Sequence, residues 1–190
     1  MKTLIALFLL SFSLQAADFK VDTKKSILKW TGKKVSGEHF GTISLSSGKV
    51  NIEGDDLKGG EFIIDMDTIK CDDLTNEKYN KKLVDHLKSA DFFDVEKFST
   101  AKLVIKNSSL GKGGHYDVMA ELTINGITKP IDFKVELNKG KNTLLTSTLK
   151  VDRTLWGIKY KSKSVFKNLT DNFIYDDFTL EVKVVLSDND

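Results

Sequence analysis

Three histidines, one cysteine, one arginine and a scatter of carboxylates are the residues in this chain that could do chemistry. His39, His86 and His115 stand too far apart for a His-Glu-x-x-His helix or a His-x-His pair, and Cys71 has no second cysteine with which to share a metal. Neither a Gly-x-Ser-x-Gly elbow nor a phosphate-binding glycine loop occurs. Asp65, Asp67, Asp72 and Asp73 read as strand-end and loop residues, and no spacing singles out a pair for glycoside hydrolysis. His86, between Asp85 and Leu87, reads as a structural histidine. The inventory leads to the expectation of no catalysis, no metal site and no required cofactor.

What remains is apolar surface with a regular period. In Tyr116 to Leu137 (YDVMAELTINGITKPIDFKVEL), Tyr116, Val118, Ala120, Leu122 and Ile124 alternate with mostly polar neighbours. An Asn125-Gly126 break follows, and the alternation resumes at Ile127, Ile131, Phe133, Val135 and Leu137. Asn-Gly between alternating runs predicts a type I′ hairpin, because that turn needs positive φ at both central residues. Two strands with one greasy face each need a larger antiparallel sheet to hide it. Pro130, the only proline, lies inside a strand pattern and predicts an edge or bulge there.

The same period of two appears around Leu28 and Trp30, at Ile43 and Leu45, and at Phe62, Ile64 and Met66. It returns at Ala101, Leu103 and Ile105, at Leu145 to Val151, and most cleanly at Phe178, Leu180, Val182, Val184 and Leu186. Gly37 to Gly41 predicts a break or bulge, Ser47-Gly48 a turn before a short return strand, and Gly54 to Gly60 a polar loop. Asn76 to Ser89 differs: Tyr79, Leu83, Val84 and Leu87 form a helical stripe. Asp91 is a candidate N-cap for a second helical turn through Phe92, Phe93 and Val95. Arg153 to Ile174 is too irregular to assign in full.

Lys2, the apolar run Leu4 to Leu10 and the small residues Ala16-Ala17 describe a secretory leader, residues 1–17, too short to span a membrane. Residues 18–190 then form one exported domain, large enough for one sizeable core. A formal net charge of +2 with interleaved signs carries no nucleic-acid footprint. Cys71 rules out an internal disulfide; a free thiol is expected, with pairing between chains as the alternative, and a homodimer is a separate expectation.

Eight or nine antiparallel strands, tight turns and one helical insertion point to an all-β closed barrel or a sandwich, and long alternating strands favour the barrel. A barrel of about eight strands can fill with its own side chains or hold one small ligand. Strand phase aims Trp30, Phe62, Ile64, Val118, Leu122, Phe133, Val135, Phe178 and Leu180 inward, under a lid of Leu87, Phe92 and Phe93. A solid barrel acting through its surface, as a stress-response or interaction protein, is the competing expectation.

Asp85 to Asp94 (DHLKSADFFD), followed by Val95-Glu96-Lys97-Phe98, resembles the "HL+S-x-DFFD" signature of the YceI-like lipid-binding family. Leu122 to Pro130 (LTINGITKP) resembles its "LTI-x-G-x-TKP" signature, and Asp152-Arg153-Thr154 near Gly157 its late arginine motif. The resemblance covers nearly the whole chain after the leader; Lys161 to Asp177 departs from the shorter ending of the family. It implies an eight-stranded lipocalin-like β-barrel in the periplasm that binds a long-chain polyisoprenoid or similar fatty amphiphile, without catalysis and with no transmembrane anchor once the leader is removed. No polar ligand triad carries over, so the ligand residues named above rest on strand phase. Arg153 has two readings: a bidentate pair with Asp176 or Asp177 at a barrel seam, which the sequence favours, or a contact to an anionic head group.

Overall fold

Alternating side chains can all be hidden at once only if the sheet curls until its edges meet, and that is the architecture of the computed structural model. It describes residues 16–166 and 168–187, so nearly all of the predicted leader lies outside the described residues. Among the described residues nine strands form one antiparallel sheet: β1 (Ala16–Lys20), β2 (Ile27–Lys34), β3 (Gly37–Glu53), β4 (Asp56–Asp65), β5 (Thr100–Leu110), β6 (Tyr116–Ile124), β7 (Ile127–Asn138), β8 (Leu144–Asp152) and β9 (Ile174–Val185). Eight of them run β3-β2-β9-β8-β7-β6-β5-β4 around the barrel, and β3 pairs with β4 to close it. β1 lies against the far half of β3, from Ala16 opposite Glu53 to Lys20 opposite Lys49, where β2 no longer reaches.

The Tyr116–Leu137 hairpin forms as its sequence predicts. Asn125 and Gly126 both take positive φ (49° and 72°), and β6 buries every second side chain. Pro130 stands opposite Glu121, and β7 pairs with β8 only from Val135 to Asn138. Pro130 therefore lies along a local edge, where the missing N–H leaves no ladder bond broken.

Four expectations fail, and glycine explains two of them. No break occurs at Gly37–Gly41 and no turn at Ser47-Gly48: β3 runs unbroken for 17 residues, absorbing one extra residue at Ser46. Both glycines are there for space. A Cβ on Gly41 would lie 1.9 Å from the Lys70 carbonyl oxygen, and one on Gly48 would lie 2.8 Å from a Val21 methyl. The expected loop at Gly54–Gly60 shrinks to a turn, since β4 already begins at Asp56. The second helical turn after Asp91 is also absent. Asp91 caps nothing and instead accepts from the His86 ring at 3.0 Å, while Asp94 turns the chain with φ 44°.

The helix α1 (Glu77–Lys88) starts at Asn76, whose side chain accepts from the Tyr79 N–H. Its stripe of Leu83, Val84 and Leu87 packs against the barrel core. Together with the turns on either side of it, residues 66–98 cross one end of the barrel. The irregular stretch begins with a 3-10 turn, Arg153–Trp156, and its other described residues carry turns but no regular helix or strand before β9.

Gly41→Ala is expected to cost about 3 kcal/mol, because its neighbour is backbone and cannot give way. Gly32→Ala, with nothing within 4 Å, should stay within about 0.5 kcal/mol of the parent. Urea unfolding of the two variants checks the contrast.

Candidate functional site

Inside the barrel, side chains from β2 to β9 leave a cavity of about 230 Å³. Its wall is almost wholly aliphatic and aromatic. Trp30 of β2, Phe62 and Ile64 of β4, Leu122 of β6, Phe133 and Val135 of β7, and Phe178 and Leu180 of β9 all line it. Leu87, Phe92 and Phe93 line it from the lid. Val118 is the exception among the predicted inward residues. It is fully buried but does not line the cavity, and packs within the hydrophobic core instead.

Strand phase also brings in residues the sequence reading passed over. Leu103 and Ile105 of β5, Leu149 and Val151 of β8, and Ile43 and Leu45 of β3 share the inward phase and line the same space. The alternation pattern contained them all; choosing only the larger or more regular members missed them.

The lid is tied down by polar contacts to backbone. Trp30 Nε1 donates to the Lys70 carbonyl at 2.9 Å, and Asn125 Nδ2 donates to the Phe92 carbonyl at 2.8 Å. The hairpin turn thus holds one aromatic of the lid in place. The His86 and Phe92 rings stand edge to face with centroids 5.0 Å apart, and His86 and Tyr160 do the same at 4.6 Å. Asn80 Nδ2 bridges the Cys71 and Leu74 carbonyls, stitching α1 to the segment before it.

On the mouth side, where β2 ends and β9 begins, Gly32, Lys33, Lys34, His39, Tyr175 and Asp177 complete the lining. Phe93 and Phe178 meet edge to face there at 6.4 Å. His39 Nδ1 lies 2.8 Å from Asp73 Oδ2, while the Phe40 N–H and the Cys71 thiol both donate to Asp73 Oδ1 at 3.0 and 3.2 Å. Burial pushes the Asp73 carboxyl upward, but these donors outweigh it and hold the group below the usual carboxylate range. Burial raises the Cys71 thiol instead. Asp73 stands between His39 and Cys71, so the trio holds a loop and presents no activated nucleophile. Cys71 is buried with its S–H given to Asp73, which argues against the expected alternative of a disulfide between two copies. No group of three or more His, Cys, Asp or Glu among the described residues is placed to hold a metal ion.

Arg153 is only 4% exposed and spends its donors on backbone. Nε donates to the Tyr175 carbonyl (3.2 Å), Nη1 to Ile158 (2.8 Å) and Nη2 to Ile174 (3.2 Å). The expected bidentate carboxylate pair is replaced by one ionic contact to Asp176 at 3.7 Å, and Asp177 pairs with Lys150. The guanidinium therefore fastens the start of β9 to the turn after β8. The cation also faces the Phe92 ring at 5.8 Å.

Arg153→Lys keeps the charge but cannot reach three diverging carbonyls, so a loss of about 2–3 kcal/mol in urea unfolding is expected. Asp73→Asn should cost about 1–2 kcal/mol at neutral pH. The folded-state pKa of Asp73 lies below its unfolded value, so its contribution is complete above the unfolded carboxylate range. It fades as pH falls through the folded value, and the unfolding midpoints of parent and variant should converge in acid.

Solved structures with this arrangement exist. BcnA of Burkholderia cenocepacia superposes with a TM-score of 0.71 at 20% identity, covering 88% of this chain and 99% of that one. A polyisoprenoid binding domain from Saccharophagus degradans, implicated in plant cell wall breakdown, superposes with a TM-score of 0.62 at 13% identity, over 90% of this chain and 98% of that one. At such identities the likeness establishes the fold, an eight-stranded lipocalin-like barrel. Among curated proteins, a UPF0312 protein of Vibrio vulnificus is 33% identical over 130 residues, 66% of this chain and 65% of its own length. This chain thus spans slightly less than two thirds of that relative. The YceI-like domain matches residues 19–186, every strand from β2 to β9 included, and the chain belongs to that family.

Proposed function

We propose that this protein is an exported binding protein that holds the tail of a long-chain polyisoprenoid or similar fatty amphiphile inside the barrel, and performs no covalent chemistry. The observation that carries this reading is the apolar cavity of about 230 Å³ beneath the Leu87–Phe93 lid. That is close to the lower end of ligand pockets, about 300–1,000 Å³. A wall without polar anchors suits an extended hydrocarbon, which is recognised by area alone. At about 0.8 kcal/mol per buried CH₂, each five-carbon unit supplies roughly 3–4 kcal/mol gross, so a few units suffice for tight binding. The description of the Saccharophagus degradans neighbour as a polyisoprenoid binding domain supports the same ligand class.

With Arg153 committed to backbone carbonyls, a polar head group is better served by the mouth, where Lys33, Lys34 and His39 stand together. The N-terminal leader pattern supports a periplasmic site of action. Among the described residues no helix is long and apolar enough to cross a membrane. The solid-barrel alternative expects a filled interior, and the cavity counts against it.

Native mass spectrometry and lipid extraction of protein from its host should find a bound isoprenoid or fatty amphiphile. Titration with prenyl quinones and polyprenyl phosphates should show saturable binding. Ala101, small and on the cavity wall, offers a clean variant: Ala101→Phe should fill the space and weaken binding about tenfold or more, at about 1–3 kcal/mol in stability. Protein that is empty when isolated and takes up neither probe class would sink the proposal.

A further inference from the structure

Around the mouth, apolar side chains point outward as well as inward. The tip of the β2–β3 hairpin lies against the loop before β9: Lys34 stands opposite Ile174, and the Val35 N–H donates to the Phe173 carbonyl. That loop folds back on itself, with the Ile174 N–H donating to Lys161, the Phe166 N–H to Ser162, and Ser162 bridging to Ile174. The two elements form one projection, and it carries Val35, Val165, Phe166 and Tyr175 at 43%, 39%, 49% and 50% exposure. Phe173 and Tyr175 meet edge to face at 5.2 Å at its base, and Tyr175 also lines the cavity. The exposed apolar surface is therefore continuous with the mouth.

Lysines ring the same projection. Lys33 and Lys34 line the mouth, Lys163 Nζ lies 4.7 Å over the Phe173 ring, and Lys161 Nζ reaches the Asn172 side chain. Most of the acids nearby already have partners, Asp73 among them through His39 at 2.8 Å, while Asp72, bonded through its N–H to the Phe40 carbonyl, is exposed. Glu38 pairs with Lys33 at 3.5 Å, Asp177 with Lys150 at 2.7 Å, and Asp176 faces Arg153, leaving Asp171 exposed on the loop. Among the described residues no ion pair engages Lys34, Lys161 or Lys163.

We propose that this end of the barrel docks on an anionic lipid surface. The tips carrying Val35, Val165 and Phe166 enter the head-group layer, and Lys34, Lys161 and Lys163 contact the phosphates. Projecting apolar tips inside a basic collar match the interface of an anionic bilayer, where greasy side chains sink a few ångströms and cations stay at the phosphates. Tyr175 suits the boundary because its ring is apolar and its hydroxyl is wet. The inference rests on the carrier reading above and extends it: docked in this way, the mouth opens toward the bilayer, and a hydrocarbon tail could pass between membrane and cavity without crossing water.

The test uses protein recovered from its host, its N-terminus defined by mass spectrometry so that a retained leader is recognised. It is floated with vesicles of phosphatidylethanolamine and phosphatidylglycerol, and separately with phosphatidylcholine vesicles. Loading of the cavity is followed in parallel with a fluorescent isoprenoid added from solution. The expected result is flotation with the anionic vesicles that falls about tenfold in Lys161→Ala/Lys163→Ala and in raised salt. It should fall about tenfold or more in Val165→Asp/Phe166→Asp. Loading from solution and the urea midpoint should not change in either variant, since these side chains lie outside the barrel core. Parent protein that loads the probe but does not float, or floats equally well with both variants, overturns the docking surface and leaves the carrier reading intact. Parent protein that floats in the expected, variant-sensitive way but never loads the probe supports the docking surface and counts against the carrier reading.

Discussion

Closure of β3 on β4 is the constraint on which the rest of this structure depends. Each strand carries one apolar face, and a flat sheet would leave those faces half wet and two edges unpaired. Curling the sheet until Leu45 meets Ile64 gives every inward side chain the same interior. It also costs the barrel something: a cylinder has open ends, and the apolar lining at an open end must be covered. At one end, residues 66–98 supply the cover, with Leu83, Leu87, Phe92 and Phe93 turned into the barrel.

That cover stays in place through a few polar contacts at the rim. Trp30 reaches Lys70, Asn125 reaches Phe92, and Asp73 gathers His39, Phe40 and Cys71. Each joins a residue of the barrel wall or its turns to the segment that crosses it, or holds that segment in shape. Trp156, nearly fully buried, ties the turn after β8 to the wall instead, donating to the Leu122 carbonyl of β6. Arg153 does the equivalent work at the same end, beside Phe92, drawing the chain after β8 onto the start of β9. A buried guanidinium is costly unless its donors are satisfied, and three carbonyls with Asp176 nearby meet that need. Burial lowers the Arg153 pKa while Asp176 and Asp152 raise it in opposition.

Much of the candidate site was legible because alternation is a local property. Phe62 and Ile64, Leu122, Val135, and Phe178 and Leu180 could be assigned inward from their own neighbours, and each does line the cavity. Val118 shows the limit of that reasoning. Its phase is inward and it is fully buried, yet phase does not say whether a buried side chain borders a void or only its neighbours: its cross-strand partner Phe133 lines the cavity and Val118 does not. The glycines of β3 show another limit. Gly41 and Gly48 look like chain breaks when read alone, and only the approach of Lys70 and Val21 reveals why no side chain fits.

Local sequence determined the strand periods, the Asn125-Gly126 turn, the α1 stripe with its Asn76 cap, and the family signatures, because each depends on residues a few positions apart. Tertiary structure alone decided which end the lid covers, that a space remains beneath it, and that Arg153 is spent on Tyr175, Ile158 and Ile174. Those outcomes depend on groups distant in the chain filling, or failing to fill, the same volume. The size of a void is the difference between wall and contents, and no single stretch of sequence carries both.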